Sequence, residues 1–287
     1  MSTLEVKHAS FSYSVGTPFA TKALDDVSIR FEENAVTGLI GHTGCGKSTL
    51  VQLLNGLLAP SEGQVFLDGK DINEKGIDKK AVRSRVGLVF QYPEYQLFEE
   101  TVYADIAYGP KNMGLDEKEI ERRIRAAADF VRIDPAYFDA SPFDLSGGQK
   151  RRVAIAGIMA MDPDVLILDE PAAGLDPVGR EEILGGIRSY QRKRGNTVII
   201  VSHSMEDMAR YSDRLVVMDH GRVAMDGDCS AIFSQADRLT TLGLDVPQIT
   251  RFMLALKKQG IDVRTNIFTV DQAREEILRV AGGAHHA

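Results

Sequence analysis

From position 41 to 48 the chain reads Gly41-His42-Thr43-Gly44-Cys45-Gly46-Lys47-Ser48. Three glycines at this spacing let a short loop turn successive backbone N–H groups toward an anion, and the lysine and hydroxyl that follow complete a phosphate-binding pattern. Such a loop must open a helix, whose N-terminus adds roughly half a positive charge. Lys47 is expected to reach the β and γ phosphates, Ser48 to offer its hydroxyl to Mg²⁺, and Thr49 to line the same site.

Two further groups carry chemistry. Asp169 and Glu170 follow an apolar run at 165–168. Alone, an Asp-Glu pair of this kind reads as a solvated strand end. Beside a phosphate loop it reads as a metal ligand and a base. Asp169 can hold the hydrated Mg²⁺ while Glu170, pointing the opposite way, faces the γ-phosphate and orients or deprotonates the attacking water. The third group, Leu145-Ser146-Gly147-Gly148-Gln149, precedes a segment running to Met161 that suits a helix capped by Ser146. It is a second anion-binding helix start, yet the loop at Lys47 already serves the chain's own phosphates. That duplication points to the nucleotide of a second molecule.

These residues require particular elements to hold them. Short apolar runs at Val36–Ile40, 86–90, 165–168 and 198–201 have the length and branched content of strands buried on both faces of a parallel sheet. Leu50, Leu53, Leu54, Leu57 and Leu58 predict a helix after the phosphate loop, ended by Pro60. Near the start, Leu4 and Val6, then Val27, Ile29 and Phe31, alternate with polar residues as antiparallel strands do, with Gly16-Thr17-Pro18 between them. Residues 116–132, with Ile120, Ile124, Ala127, Ala128 and Val131, read as an amphipathic helix of an inserted helical subdomain. His220-Gly221 is a hairpin turn between two short apolar runs. After Cys229 the pattern is mainly helical, over 249–256 and 272–280.

The pentapeptide at Ser146, lying after a phosphate loop and before the Asp-Glu strand, resembles the signature of ATP-binding cassette (ABC) ATPases. The resemblance implies an α/β P-loop NTPase fold: a mixed, mainly parallel sheet core, an N-terminal antiparallel β subdomain, an inserted helical subdomain at about 92–160, and a small helical extension. It places the nucleotide-binding domain at 1–228 and the extension, a possible dimer contact, at 229–287. It also implies that ATP is the ligand and that the subunit hydrolyses it with Mg²⁺ when paired face to face with another. Ser146, Gly147, Gly148 and Gln149 of one subunit then close over ATP held by the partner. By the same resemblance Gln91 is the loop glutamine that senses Mg²⁺ and relays to a membrane partner, and His203 is the switch histidine contacting the γ-phosphate. Asp176, in Gly174-Leu175-Asp176-Pro177, crosses the dimer interface, and Tyr13 stacks on adenine. Without those neighbours each has an ordinary alternative: a loop glutamine, a polar histidine beside helix-starting serines, an Asp-Pro turn, a strand aromatic.

The stretch from Phe90 to Phe98, with Thr101-Val102 and residues 105–110, is similar to the ATPases of energy-coupling factor (ECF) transporters, including the cobalt type. Gly16-Thr17-Pro18-Phe19 and the phosphate loop resemble the second of the two ATPases such systems pair. This implies a heterodimer, peripheral on the cytoplasmic face of the cell membrane, that drives a membrane scaffold subunit and a small substrate-binding membrane subunit to take up a vitamin or a transition-metal ion. Tyr92, Pro93, Tyr95, Leu97 and Phe98, beside Gln91, suit a docking surface for a partner helix. Two departures from the common pattern are Cys45, where serine is frequent, and Glu33-Asn34-Ala35 in place of a glycine turn. Cys45, at a helix N-terminus that favours thiolate, is expected to react with thiol reagents.

Composition narrows the alternatives. The 287 residues carry a formal net charge of -7, and no basic tract stands out, which argues against nucleic acid as a partner. A soluble ABC ATPase acting on nucleic acid or ribosomes is further disfavoured by the single cassette and by the lack of a long coiled-coil insertion. A P-loop kinase leaves the Ser146 signature and His203 without a role. Cys45 and Cys229 match no metal-ligand spacing and fit a reducing compartment. The first seven residues lack a secretory pattern, and no apolar run approaches the roughly 20 residues of a membrane span.

Overall fold

The structure, a computed structural model, describes residues 3–283. Two sheets form the frame. The first is antiparallel, in the order β2-β1-β4-β5, built from β1 (Leu4–Tyr13), β2 (Thr21–Phe31), β4 (Glu62–Leu67) and β5 (Lys70–Asp71). The second runs β10-β9-β3-β8-β7-β6. In it β3 (Val36–Ile40), β6 (Val86–Val89), β7 (Val165–Asp169), β8 (Thr197–Val201) and β9 (Arg214–Asp219) are parallel, and β10 (Arg222–Asp228) closes one edge as an antiparallel hairpin with β9. This is the mixed, mainly parallel sheet that the apolar runs predict.

Those runs are continuous because both faces are covered. Along β7, Val165 and Ile167 face the core shared with the antiparallel sheet and with α1 (Lys47–Leu54), whereas Leu166 and Leu168 face the helices on the other side. β8 divides the same way, Ile199 and Val201 from Val198 and Ile200. The second core is contributed by α3 (Val102–Asn112), α4 (Glu117–Phe130), α5 (Gly147–Met159), α6 (Pro177–Arg194) and α7 (Met205–Tyr211). A further short helix, α2 (Lys79–Arg85), leads into β6.

One expectation needs correction: α1 ends at Leu54, so Leu57 and Leu58 lie beyond it. Gly56 adopts a left-handed conformation (φ +71°), and the N–H groups of Leu57 and Leu58 both turn back to the carbonyl of Gln52. A glycine directly before a leucine pair stops the helix where apolar periodicity alone continues it.

From position 229 the chain is helical, in α8 (Cys229–Phe233), α9 (Ala236–Thr241), α10 (Gln248–Lys258) and α11 (Val270–Gly283). Ile232, Phe233, Leu239, Val246 and Phe268 join the helical-side core of the domain, while Met253, Val263, Ile267 and Ala273 form a small cluster of their own. Arg264 and Arg279 both pair with Glu276, whose side chain is fully covered, at 2.7 Å. No helix among the described residues is long and apolar enough to cross a membrane.

Candidate functional site

β3 delivers the chain into the phosphate loop, and α1 starts at its end. Glycine is required at two of its positions, each pressed against a different strand. At Gly41 (φ +153°) a Cβ would lie 2.4 Å from the carbonyl oxygen of Met218, and at Gly46 (φ +104°) it would lie 2.5 Å from that of Ala23. The loop is therefore seated directly on backbone of β9 and β2. Lys47, buried, donates from Nζ to the carbonyls of Gly41 at 2.7 Å and His42 at 3.0 Å, so its ammonium is held at the mouth of the loop.

β7 lies two strands from β3 and ends at Asp169, whose side chain is buried. Ser48 Oγ donates to Asp169 Oδ2 at 3.1 Å, bringing together the two oxygens assigned to the metal from sequence. Burial raises the Asp169 carboxyl, with the Ser48 hydrogen bond and Lys47 acting against it. The pair is a hard oxygen donor set of the type Mg²⁺ accepts.

Glu170 leaves the strand with a left-handed backbone (φ 51°), its N–H donating to the carbonyl of Val201 on β8 at 3.0 Å. A glutamate tolerates this conformation only when its surroundings fix it, and such positions cluster at functional sites. Its Oε1 is buried without a hydrogen-bond partner. Burial, and secondarily the neighbouring Asp169, pushes its carboxyl up to about 7, where it can take a proton near neutral pH. His203 lies just past the end of β8, its Nε2 3.6 Å from Glu170 Oε1; burial first and Lys47 second lower its basicity. Lys47, Ser48, Asp169, Glu170 and His203 thus meet at the carboxyl ends of neighbouring parallel strands, where α/β folds bind ligands. Gln91 is exposed two residues beyond β6, and β6 pairs with β7 through Val89 and Leu168, which sets it at the same sheet edge. Tyr13 is half-exposed at the end of β1, its hydroxyl 3.2 Å from Thr49 Oγ1, next to the start of α1.

The Ser146 group stands apart. Ser146 caps α5 through a reciprocal pair with Gln149: the Gln149 N–H donates to Ser146 Oγ at 3.3 Å, and Gln149 Oε1 accepts from the Ser146 N–H at 2.9 Å. Ser146 and Gly147 are exposed, and among the described residues no hydrogen bond joins them to residues 41–49. Asp176 is likewise exposed, capping α6 by accepting from the Gly179 N–H at 2.8 Å. The helix start at Ser146 is thus open to a ligand from outside this subunit.

Two features escaped the sequence. Arg151 on α5 is buried and forms a two-pronged pair with Glu94, at 3.0 and 2.9 Å, and also donates to the carbonyl of Ala173. It ties the segment after Gln91 to the signature helix and to the turn after Glu170. The Arg151-Arg152 doublet inside an otherwise core-facing helix was the available signal. The second is a close contact between His42 Nε2 and Asp219 Oδ1 at 3.1 Å. Cys45, expected to be reactive, is fully buried, so the reagent access that expectation needs is not present.

A phosphate loop, an Asp-Glu strand end and a separate capped Gly-Gly helix start on this two-sheet frame define an ATP-binding cassette ATPase. The sequence matches the ABC transporter family over residues 24–173, and the chain belongs to the ATP-binding proteins of energy-coupling factor transporters within it. It is 51% identical over 280 residues, 98% of each chain, to the energy-coupling factor transporter ATP-binding protein EcfA2 of Caldanaerobacter subterraneus subsp. tengcongensis. It is 52% identical to the protein of that name from Clostridioides difficile, over 97% of each chain. Among solved structures it resembles cbiO1 of Clostridium perfringens, described as part of the ABC transporter complex cbiONQ, with a TM-score of 0.74 and 39% identity over 87% of this chain and 98% of that one. A dimeric ATP-binding cassette in a post-hydrolysis state with ADP and Pi superposes with a TM-score of 0.70 at 26% identity, over 79% of this chain and 98% of that one.

Proposed function

We propose that this chain powers an energy-coupling factor importer from the cytoplasmic face of the membrane, hydrolysing ATP in a face-to-face pair with a homologous second ATPase. The observation that carries the reading is the separation of the site into two halves. The groups that hold and activate water and phosphate converge at one sheet edge, while a pre-capped anion-binding helix start is left open for another subunit's nucleotide.

In this reading the N–H groups of residues 41–49, with Lys47, bind the phosphates, and Tyr13 packs on the adenine. Mg²⁺ would be held by Ser48 and Asp169, with Gln91 completing the set, and would neutralise charge on the phosphate oxygens. Glu170 orients the attacking water and accepts its proton, which its raised pKa and unpartnered Oε1 suit it to do. His203 holds the γ-phosphate side of the same water. Ser146, Gly147, Gly148 and Gln149 complete the partner's site, and Asp176 links the two. The domain spans 1–228, and the extension from 229 adds contact between the two ATPases.

The coupling surface lies beside Gln91. A groove of 680 Å³ is lined by Pro93, Phe98, Tyr108, Met113 and Met161 among others, and Tyr95, two residues after Pro93 in the chain, has 85% of its surface exposed. Its apolar walls suit a helix of the membrane scaffold subunit, whose partner captures the vitamin or metal ion. Arg151, reaching from α5 to Glu94, connects that groove to the signature.

The test is to tag the chain in its native cell, extract it gently from membranes and identify what accompanies it by mass spectrometry. A second ATPase with a membrane scaffold and small membrane proteins is expected. Recovery only from the soluble fraction, with ribosomal or DNA-bound proteins, would leave the ATPase and remove the transport.

A further inference from the structure

The backbone of His42 belongs to the phosphate loop, whereas its imidazole turns toward Asp219. His42 Nδ1 lies 2.9 Å from the Thr43 carbonyl oxygen, which can only accept, so the proton belongs on Nδ1 and Nε2 presents its lone pair. That lone pair faces Asp219 Oδ1 at 3.1 Å. Two acceptors confront each other, and a cation between them resolves the conflict. A third donor stands beside them: His220 Nε2 is 3.8 Å from the same carboxylate oxygen, and the ligand atoms of all three residues lie within 4.8 Å of one another. A proton on Nε2 would satisfy His42 and Asp219 alone. An ion about 2.0–2.2 Å from each ligand satisfies all three after a small rotation of His220, whose side chain is 84% exposed and free to turn.

The donor chemistry narrows the ion. Two imidazoles and one carboxylate suit Zn²⁺, Co²⁺ or Ni²⁺, whereas Mg²⁺ and Ca²⁺ prefer oxygen throughout. The Nδ1–H contact to a backbone carbonyl is the outer-shell bond that fixes the tautomer of a metal-binding histidine. The ligands also sit on backbone that is already joined. Gly221 N–H donates to the Cys45 carbonyl at 3.0 Å, Asp25 N–H donates to that of Gly221 at 2.9 Å, and Gly41 rests on Met218.

We propose that His42, Asp219 and His220 form a binding site for a divalent transition-metal ion at the lip of the phosphate loop. Solvent supplies the remaining ligands. The ion cross-links the loop to the turn between β9 and β10, 177 residues away in sequence. The site depends only on these three side chains and stands whether or not the chain serves a transporter.

The test uses the full-length chain carrying His285→Ala and His286→Ala, so that the terminal histidines do not bind metal. Competition with a chromogenic chelator should show Zn²⁺ bound, and His220→Asn should weaken that binding by at least about tenfold. Asn tolerates the left-handed backbone at position 220 (φ 44°), so the variant keeps the turn. Asp219→Asn should weaken it likewise. Co²⁺ should give visible d–d bands that His220→Asn removes, without the thiolate charge-transfer band that Cys45 or Cys229 ligation would produce. Zn²⁺ affinity unchanged by His220→Asn, a thiolate band, or no binding by the parent chain would each overturn the site.

Discussion

Glu170 is held where its charge is poorly solvated, and this has a consequence separable from hydrolysis. Its folded pKa of about 7 lies above the ordinary glutamate value, so the folded state binds the proton more tightly than the unfolded chain does. Stability therefore falls as pH rises from about 4.5 to about 7 and stays level above that, the loss reaching at most about 3 kcal/mol. Glu170→Gln removes the charge and keeps the shape. Its melting temperature without nucleotide should exceed the parent's by several degrees at pH 8, with the gap closing toward pH 5. Equal melting at pH 8 would mean that the site solvates the carboxylate after all. The same variant should bind ATP and fail to turn it over, and the parent's hydrolysis should decline below pH 7 as Glu170 takes up its proton. At this scale most of the site could be read from order and spacing, because each motif carries its own chemistry. What could not be read was Glu170's left-handed backbone, which its hydrogen bond to Val201 on a neighbouring strand imposes, and the burial of Cys45 under elements far away in the chain.

Between elements, the most buried of the ion pairs that join distant segments is one sequence did not announce. Arg151 of α5 is 4% exposed and Glu94 is 16% exposed, and their two-pronged pair joins the segment after Gln91 to the signature helix. Removing one partner strands the other charge in a site with little water. Glu94→Ala should cost about 3 kcal/mol in urea unfolding, and it should lower transport-coupled turnover more than ATP binding. Wild-type stability in that variant would show that Arg151 finds enough compensation at Ala173. The strands were legible because a run buried on both faces needs no alternation, and the helices because α4 keeps its apolar stripe. The early stop of α1 was not, since the periodicity of Leu57 and Leu58 outweighed the signal of Gly56.

For the whole molecule, the exposed helix start at Ser146 makes a prediction about trans complementation. Ser146→Arg places a long cation at a surface position, so the chain should fold and bind ATP at its own loop as before. Hydrolysis at the partner's site should fall by roughly a hundredfold or more, because that site loses its closing donors. Assays of mixed dimers, each with one intact signature, would separate the two sites. An unaffected partner site would sink the face-to-face arrangement. The C-terminal extension bears on this scale too. Phe268 and Phe233 pack with ring centroids 5.7 Å apart inside the domain's own core, so residues from 229 on are part of what keeps the cassette folded as well as a proposed contact.

Sequence by itself determined which groups could act: a phosphate loop, two carboxylates at a strand end, a capped Gly-Gly helix start and the parallel strands that present them. These are local properties, set by backbone freedom, capping and apolar period within a few residues. Tertiary structure alone decided how Glu170 is turned and made basic, that Arg151 reaches Glu94, and that His42 meets Asp219 and His220. Each of those depends on groups brought together from distant parts of the chain, and burial and distance, which set their charge and partners, exist only once the sheets have packed.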